Sequence, residues 1–317
     1  MKKLSLQSKA RIFYLTILIL LSQTGFAGKP DTISFLHVSD IHLVFSLDIL
    51  QKDLAKDRIN YGFGVGAFDR FLQNMPKETK ADFVVATGDL VDFYEGETVN
   101  YKMVGTSVEQ FAQLLNKSNT LVFATLGNHD ITAYSWGDST RLTSQDIAGA
   151  ARAAWIRNVP CFQYGTYYSR IFTTGTTIYR LIFLDDAFNR LDGNGNYAVP
   201  YIDKAQQSWL KSQFDASDKD VEIVIMHIPI KQGASDVEEN SIYSVLNDQS
   251  SLKMVLAGHN HRNIITKFTD DNGAFYEVQT AAFATDREAW RLIRLTENNI
   301  IISAPGKSEN ELTIQIK

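Results

Sequence analysis

The chain has 317 residues, 44% hydrophobic and 21% charged, with a formal net charge of −5 at pH 7. That length suits one large α/β domain or two small ones. The negative balance disfavours non-specific nucleic-acid binding, no basic block resembles a nucleic-acid footprint, and a single cysteine, Cys161, excludes an internal disulfide.

Residues 1–11 carry Lys2, Lys3, Lys9 and Arg11, and residues 12–21 form an apolar run broken only by Thr16. Gly25 and Ala27 follow at the small-residue spacing that a signal peptidase reads. The pattern predicts a secretory signal over residues 1–27, cleaved after Ala27, and an exported chain, periplasmic or extracellular. The run is shorter than the roughly 20 apolar residues that span a bilayer, so no membrane anchor is expected after cleavage. The expected mature domain is 28–317, whose net charge becomes −9 without the leader's four basic residues.

The first predicted strand, 33–39, ends in Asp40-Ile41-His42. His37 lies inside it and is expected to be packed or hydrogen-bonded there. Residues 43–58 mix charge and suggest a helical or irregular stretch. Tyr61-Gly-Phe-Gly-Val-Gly66 lacks the spacing of a dinucleotide or P-loop fingerprint. It is expected to be a flexible connection that could line the site entrance. A helix over 67–75 should follow, ended by Pro76. A strand over 83–87 ends in Gly88-Asp89, and 108–115 is an amphipathic helix. The apolar run 120–126 predicts a buried strand that breaks at Gly127 and delivers Asn128, His129 and Asp130.

Residues 131–159 form a long insertion without a strong strand pattern, holding Tyr134, Trp136 and Trp155. Its place after the Asn-His-Asp run makes it a candidate substrate-side wall; an apolar flap on the core is the alternative for Trp155. Cys161, beside Val159, Pro160 and Phe162, is expected to make an apolar contact. A hairpin over 167–173 and 177–184 ends in Asp185-Asp186. Residues 191–196 lack the acidic ligands of a calcium loop and suggest a plain turn. An amphipathic helix over 206–214 precedes a strand, 221–226, that ends in His227. After a helix near 241–246, the strand 254–257 ends in Gly258-His259-Asn260-His261. Strands at 264–268, 274–280, 289–295 and 300–303 close the chain, with Asp271-Asn272-Gly273 as a hairpin turn.

Five of the six histidines (42, 129, 227, 259 and 261) therefore stand directly after strands. A glycine lets the backbone turn sharply at a strand end, so these side chains should sit on a rigid base facing open space. Asp40, His42, Asp89, Asn128, His227, His259 and His261 make a nitrogen and oxygen ligand set without thiolate, suited to zinc, manganese or iron. One site needs about four ligands; the surplus predicts two divalent or trivalent metal ions. Asp89, alone after its glycine, is the bridging candidate, because each carboxylate oxygen can take a metal. Two ions roughly 3.5–4 Å apart clamp an in-line displacement at phosphorus, with a hydroxide held between them as nucleophile.

The ordered blocks Asp40-x-His42, Gly88-Asp89, Gly127-Asn128-His129-Asp130, His227 and Gly258-His259-x-His261 resemble the calcineurin-like metallophosphoesterase superfamily, and the match runs through nearly the whole mature chain. The resemblance implies an α/β fold: a two-sheet β-sandwich flanked by helices in four αββα layers. It implies one metal on Asp40, His42, Asp89 and His261 and a second on Asp89, Asn128, His227 and His259. His129 would bind substrate and protonate the leaving oxygen, with Asp130 orienting its ring. Asn128 would also face substrate. Histidine at position 42, and Asp92 rather than tyrosine three residues after Asp89, separate the chain from purple acid phosphatases. Asp92, Phe93, Tyr94 and Tyr134 are further candidate substrate contacts.

The expected function is a secreted dinuclear phosphoesterase acting on small phosphate mono- or diesters, nucleotide or phospholipid-type, and not on a nucleic-acid polymer. The alternative is a metal-retaining binding or scaffold protein without turnover. A zinc peptidase would need a His-Glu-x-x-His helix, which the sequence lacks.

Overall fold

The structure, a computed structural model, describes residues 31–187, 202–217, 219–230, 242–247, 249–270 and 273–316. The expected leader, the turn at 191–196 and the turn residues Asp271 and Asn272 lie outside the described residues.

One sheet is built from β1 (Thr32–Val38), β2 (Phe83–Thr87), β5 (Val122–Thr125), β14 (Trp290–Thr296), β15 (Asn299–Ser303) and β16 (Asn310–Gln315), in the order β16-β15-β14-β1-β2-β5. The second contains β8 (Tyr168–Thr174), β9 (Thr177–Phe183), β10 (Val221–Ile225), β11 (Leu252–Ala257), β12 (Ile264–Asp270) and β13 (Gly273–Gln279), in the order β12-β13-β11-β10-β9-β8. β1, β2 and β5 run parallel, as do β9, β10, β11 and β13.

The strands read as apolar runs because both faces of each sheet are covered. Phe83 and Phe123 meet Phe172 and Phe183 of the opposing sheet, with Phe83 and Phe172 stacked at 5.0 Å. In the second sheet Leu181, Phe183, Ile223, Ile225, Met254 and Leu256 enter this central core. Their neighbours Ile182, Leu184, Val224, Met226, Val255 and Ala257 pack with α5 (Lys204–Asp215) and α6 (Ile242–Leu246) on the outer face. The period of two in the strands decides that division. On the first sheet's side, α2 (Gly64–Thr79) and α3 (Ser107–Lys117) contribute Phe68, Phe71, Leu72, Val108 and Phe111 to the core. Fully burying each such side chain contributes about 1.5–3 kcal/mol. The expected helix-flanked two-sheet architecture is thus the observed one.

Several elements differ from the sequence expectation. Pro76 does not end α2; the helix runs to Thr79 and is capped by Lys80, which takes φ 59°. A proline inside a helix strips the carbonyl four residues earlier of its donor. Here that carbonyl, of Leu72, accepts from the Thr120 hydroxyl at 2.7 Å. The region 131–159 is not strandless: it forms β6 (Ala133–Gly137), β7 (Thr140–Ser144) and α4 (Ala148–Asn158). With β3 (Glu95–Glu97) and β4 (Met103–Val104) these strands make a third, small sheet in the order β4-β3-β6-β7. Before it, α1 (Lys52–Arg58) is capped by the Gln51 side chain, which accepts from the Asp53 and Leu54 amides. Trp155 is fully buried, with its indole N–H on the Asp130 carbonyl at 2.9 Å, so it is core and not a substrate wall. Cys161 is buried, and burial pushes its thiol up to about 11, as its apolar neighbours suggested.

Candidate metal centre

The candidate ligands follow the carboxyl ends of parallel strands in both sheets: β1, β2 and β5 in one, β10 and β11 in the other. Beyond β1 and β2 the two chains continue side by side, with the His42 amide donating to the Asp89 carbonyl at 2.8 Å. Five of the seven candidates adopt positive φ: Asp40 (50°), His42 (46°), Asp89 (49°), His259 (65°) and His261 (54°). Each such residue stores about 1–3 kcal/mol of strain. The ligand residues themselves therefore do much of the turning that the sequence assigned to glycine. Gly88 does turn, at φ 79°. Gly127 and Gly258 instead make room: a Cβ at Gly127 would overlap the Asp89 carboxylate, and one at Gly258 would overlap the Ser39 hydroxyl.

The expected ligands converge in two groups of donor atoms. In the first, His261 Nε2 lies 3.3 Å from Asp40 Oδ1 and 3.2 Å from His42 Nε2. In the second, His227 Nε2 lies 3.2 Å from Asp89 Oδ2 and 3.1 Å from Asn128 Oδ1. His259 Nδ1 is 3.0 Å from that same Asn128 oxygen. Asp89 Oδ2 is also 3.6 Å from His42 Nε2, so it stands between the groups. Ligands about 2.1 Å from a tetrahedral ion lie about 3.4 Å apart, and both groups match that spacing.

The tautomers support the same reading. His227 Nδ1 faces the Thr87 carbonyl at 2.7 Å and must carry a hydrogen. His42 Nδ1 faces the Asp92 carboxylate at 3.1 Å and must do likewise. In the neutral rings both Nε2 atoms then present lone pairs to other acceptors, an arrangement that a cation relieves. Electrostatics agree. Burial alone would lower the pKa of His227, but Asp89, Asp40 and Asp186 raise it to about 10. The field that favours a proton there favours a metal ion. His259 is pushed down to about 4 by burial and by His227. Burial would raise the Asp89 carboxyl, but His227, His129 and His42 hold it well below the usual range. The donor set fits two metal ions.

Asp89 Oδ1 accepts the His129 amide at 2.8 Å, and Oδ2 faces both groups. Asp89 thus stands between the two groups, as its place after Gly88 led us to expect of a bridging candidate.

His129 lies outside both groups and keeps 20% of its side chain exposed. Its Nδ1 donates to the Asp92 carbonyl at 2.9 Å and lies 2.8 Å from the Tyr134 hydroxyl. Its Nε2 lies 3.9 Å from Asp89 Oδ2. Burial would lower its pKa, yet Asp89 and Asp92 raise it to about 9.

Asp130 does not orient that ring. Its Oδ2 accepts the Gly127 amide at 2.7 Å and its Oδ1 the Val91 amide at 2.9 Å. It shapes the loop that presents Asn128 and His129, and burial with the nearby Asp89 charge raises its carboxyl to about 7. The four candidate substrate contacts are buried or half-buried. Asp92 and Phe93 are buried. Tyr134 is buried with its hydroxyl on His129. Tyr94 packs half-buried against the main core. His37 bonds Thr87 and Thr280 within the sandwich, and burial lowers it to about 3, consistent with a structural residue.

Sequence reasoning missed three supports. Asp92 holds His42, and its spacing from Asp89 was visible without its role. Asp186 accepts the His227 and Ile228 amides, each at 2.8 Å, and followed the predicted hairpin as an unassigned acid. Arg58 pairs with Asp92, and nothing local distinguishes it from the other charged residues of α1.

The profile of the calcineurin-like phosphoesterase family matches residues 33–263. A dimetal phosphatase from Danio rerio superposes with a TM-score of 0.59 at 15% identity, over 91% of this chain and 100% of its own. The Haemophilus influenzae NAD nucleotidase gives a TM-score of 0.48 at 14% identity, over 88% of this chain and 50% of its own, so this chain spans about half of that enzyme. The inner membrane complex anchor of Plasmodium gives 0.45 at 15% identity, over 90% and 88%. No curated protein matches the chain in sequence.

Proposed function

The chain belongs to the calcineurin-like phosphoesterase family, and from that membership we propose that it is an exported, dinuclear metal-dependent phosphoesterase hydrolysing small phosphate mono- or diesters. The observation that carries the reading is the position of Asp89 Oδ2, 3.6 Å from His42 Nε2 and 3.2 Å from His227 Nε2, between two convergent donor groups. Asp40, His42, Asp89 and His261 would hold one ion, and Asp89, Asn128, His227 and His259 the other. When bound, the ions would polarise the phosphoryl oxygens and acidify the attacking water.

The remaining work falls to the protein. With Nδ1–H committed to the Asp92 carbonyl, a protonated His129 carries its second proton on Nε2. That proton goes to the leaving oxygen as the phosphorus–oxygen bond breaks. Asp89 and Asp92 raise the pKa of this ring to about 9, which favours its charged form at neutral pH. The Asn128 amide and the His129 ring border the space where the phosphoryl group would sit. Substrates of nucleotide or phospholipid type fit this chemistry, and the negative net charge gives no reason to expect a polymer. The basic and apolar leader supports export.

The test compares p-nitrophenyl phosphate with bis-p-nitrophenyl phosphate, each with manganese, zinc, iron or a chelator. Chelator-sensitive turnover of either ester supports the reading, and the preferred ester assigns mono- or diesterase. No turnover with any metal overturns it in favour of a binding protein.

A further inference from the structure

Beneath the candidate metal centre lies a buried ion pair that the proposed chemistry does not itself use. Arg58, at the end of α1 and 7% exposed, sends Nε and Nη2 to the two oxygens of Asp92 at 2.6 and 2.5 Å. Such a two-point fork fixes the plane of a carboxylate as well as its charge. The guanidinium is held in turn between two tyrosine rings, 4.5 Å from the centre of Tyr61 and 5.5 Å from that of Tyr134.

Asp92 cannot choose another orientation while the fork is in place. Its Oδ1 faces His42 Nδ1 at 3.1 Å and His129 Nδ1 at 3.6 Å. One arginine therefore aims one carboxylate at two histidines, a candidate metal ligand and the candidate proton donor. Tyr134, which packs on Arg58, completes the arrangement through its hydroxyl, 2.8 Å from His129 Nδ1. The rings of His42 and His129 meet edge to face at 4.5 Å, so a change in either is felt by the other.

Resting on the phosphoesterase reading above, we propose that Arg58 and Tyr134 are positioning residues: Arg58 sets the His42 ring for metal through Asp92, and Tyr134 sets the His129 ring for the leaving group. Neither touches the reacting atoms. A buried pair costs desolvation and is weak as a source of stability; its forked geometry and its placement behind the two histidines give it this second use. Partners that orient a metal-binding histidine are typically worth 10–100-fold in metal affinity.

The experiment measures zinc and manganese affinity by competition with a coloured chelator, alongside kcat and KM for p-nitrophenyl phosphate and for phenyl phosphate, a poorer leaving group. Arg58→Gln is expected to weaken one of the two metal equivalents roughly 10–100-fold and to leave the other nearly unchanged. Tyr134→Phe is expected to leave both metal equivalents unchanged. Its kcat should fall by about tenfold more on phenyl phosphate than on the nitrophenyl ester, as a displaced general acid requires, with KM held. If Arg58→Gln does not fold, Arg58→Lys keeps the charge without the fork and is expected to show the same one-site loss.

Wild-type affinity for both equivalents in the arginine variants overturns the Arg58 assignment. Equal weakening of both, with a lower melting temperature, assigns Arg58 to general stability and overturns it too. Equal effects of Tyr134→Phe on the two esters overturn the Tyr134 assignment. The metal arm needs no turnover. A chain that shows the one-site loss yet hydrolyses neither ester would sink the phosphoesterase reading alone.

Discussion

The carbonyl of Thr87, at the end of β2 in the first sheet, accepts from Nδ1 of His227, which follows β10 in the second sheet, at 2.7 Å. This contact joins the two halves of the sandwich at the candidate metal centre. It also decides which nitrogen of His227 faces Asp89. The centre is therefore a product of how the sheets pack, and its predicted responses to change follow from that geometry.

Asp89→Asn should weaken both metal equivalents together. Asp89 Oδ2 faces both groups, and Oδ1 accepts the His129 amide. An amide cannot offer the same charge and oxygen to both. Metal content and affinity measured after chelator dialysis check this, and loss of one equivalent alone would refute Asp89 as the shared ligand.

His129→Ala should keep both metals, because its ring lies outside the two donor groups. Turnover of esters with poor leaving groups should fall by about 10²–10⁴, the range for a lost general acid. Activated nitrophenyl esters should suffer less. Loss of a metal equivalent in the variant would make His129 a ligand.

Asp130→Asn should act on the loop rather than on proton transfer. Its amide nitrogen would face a backbone N–H of Gly127 or Val91, leaving a buried clash of donors that costs about 1–3 kcal/mol. The melting temperature should drop, while the ratio of rates on good and poor leaving groups stays at the wild-type value. A selective loss on poor leaving groups would restore Asp130 to the ring-orienting role.

Glu277 gives a pH prediction away from the ligands. Burial raises its carboxyl from 4.5 to about 7. Between those values the folded chain binds the extra proton, so stability contributed by this group falls as pH rises through the window and the loss is complete above about 7. Glu277→Gln should flatten that decline, by up to a few kcal/mol between pH 5 and 8. Thermal melts at both pH values check it; a variant with the wild-type slope would mean that another group carries the effect.

Gly258→Ala should abolish the first metal equivalent, because the added methyl would overlap the Ser39 hydroxyl and crowd Asp40. Overpacking of this kind costs about 1–3 kcal/mol. Melting and metal titration should fall together; normal metal binding would mean that the loop can move aside.

The sequence by itself determined the strands and what stands at their ends. Long apolar runs that stop at Asp40, Asp89, Asn128, His227 and His259 are local signals, since burial of both sheet faces leaves an unbroken pattern along the chain. Ligand chemistry could be assigned from residue types alone. The tertiary structure decided the rest. The small sheet pairs short strands distant in sequence, such as Gly96 with Tyr134, and pieces of two or three residues carry no periodicity. Asp130 bonds the Gly127 and Val91 amides and Asp92 faces His42, because a carboxylate takes the donors that packing brings to it, not those beside it in the chain. Arg58 reaches Asp92 across 34 positions, and Thr120 rescues Leu72 across 48. Neither pairing leaves a trace in local composition, because a side-chain hydrogen bond depends on where two backbones meet.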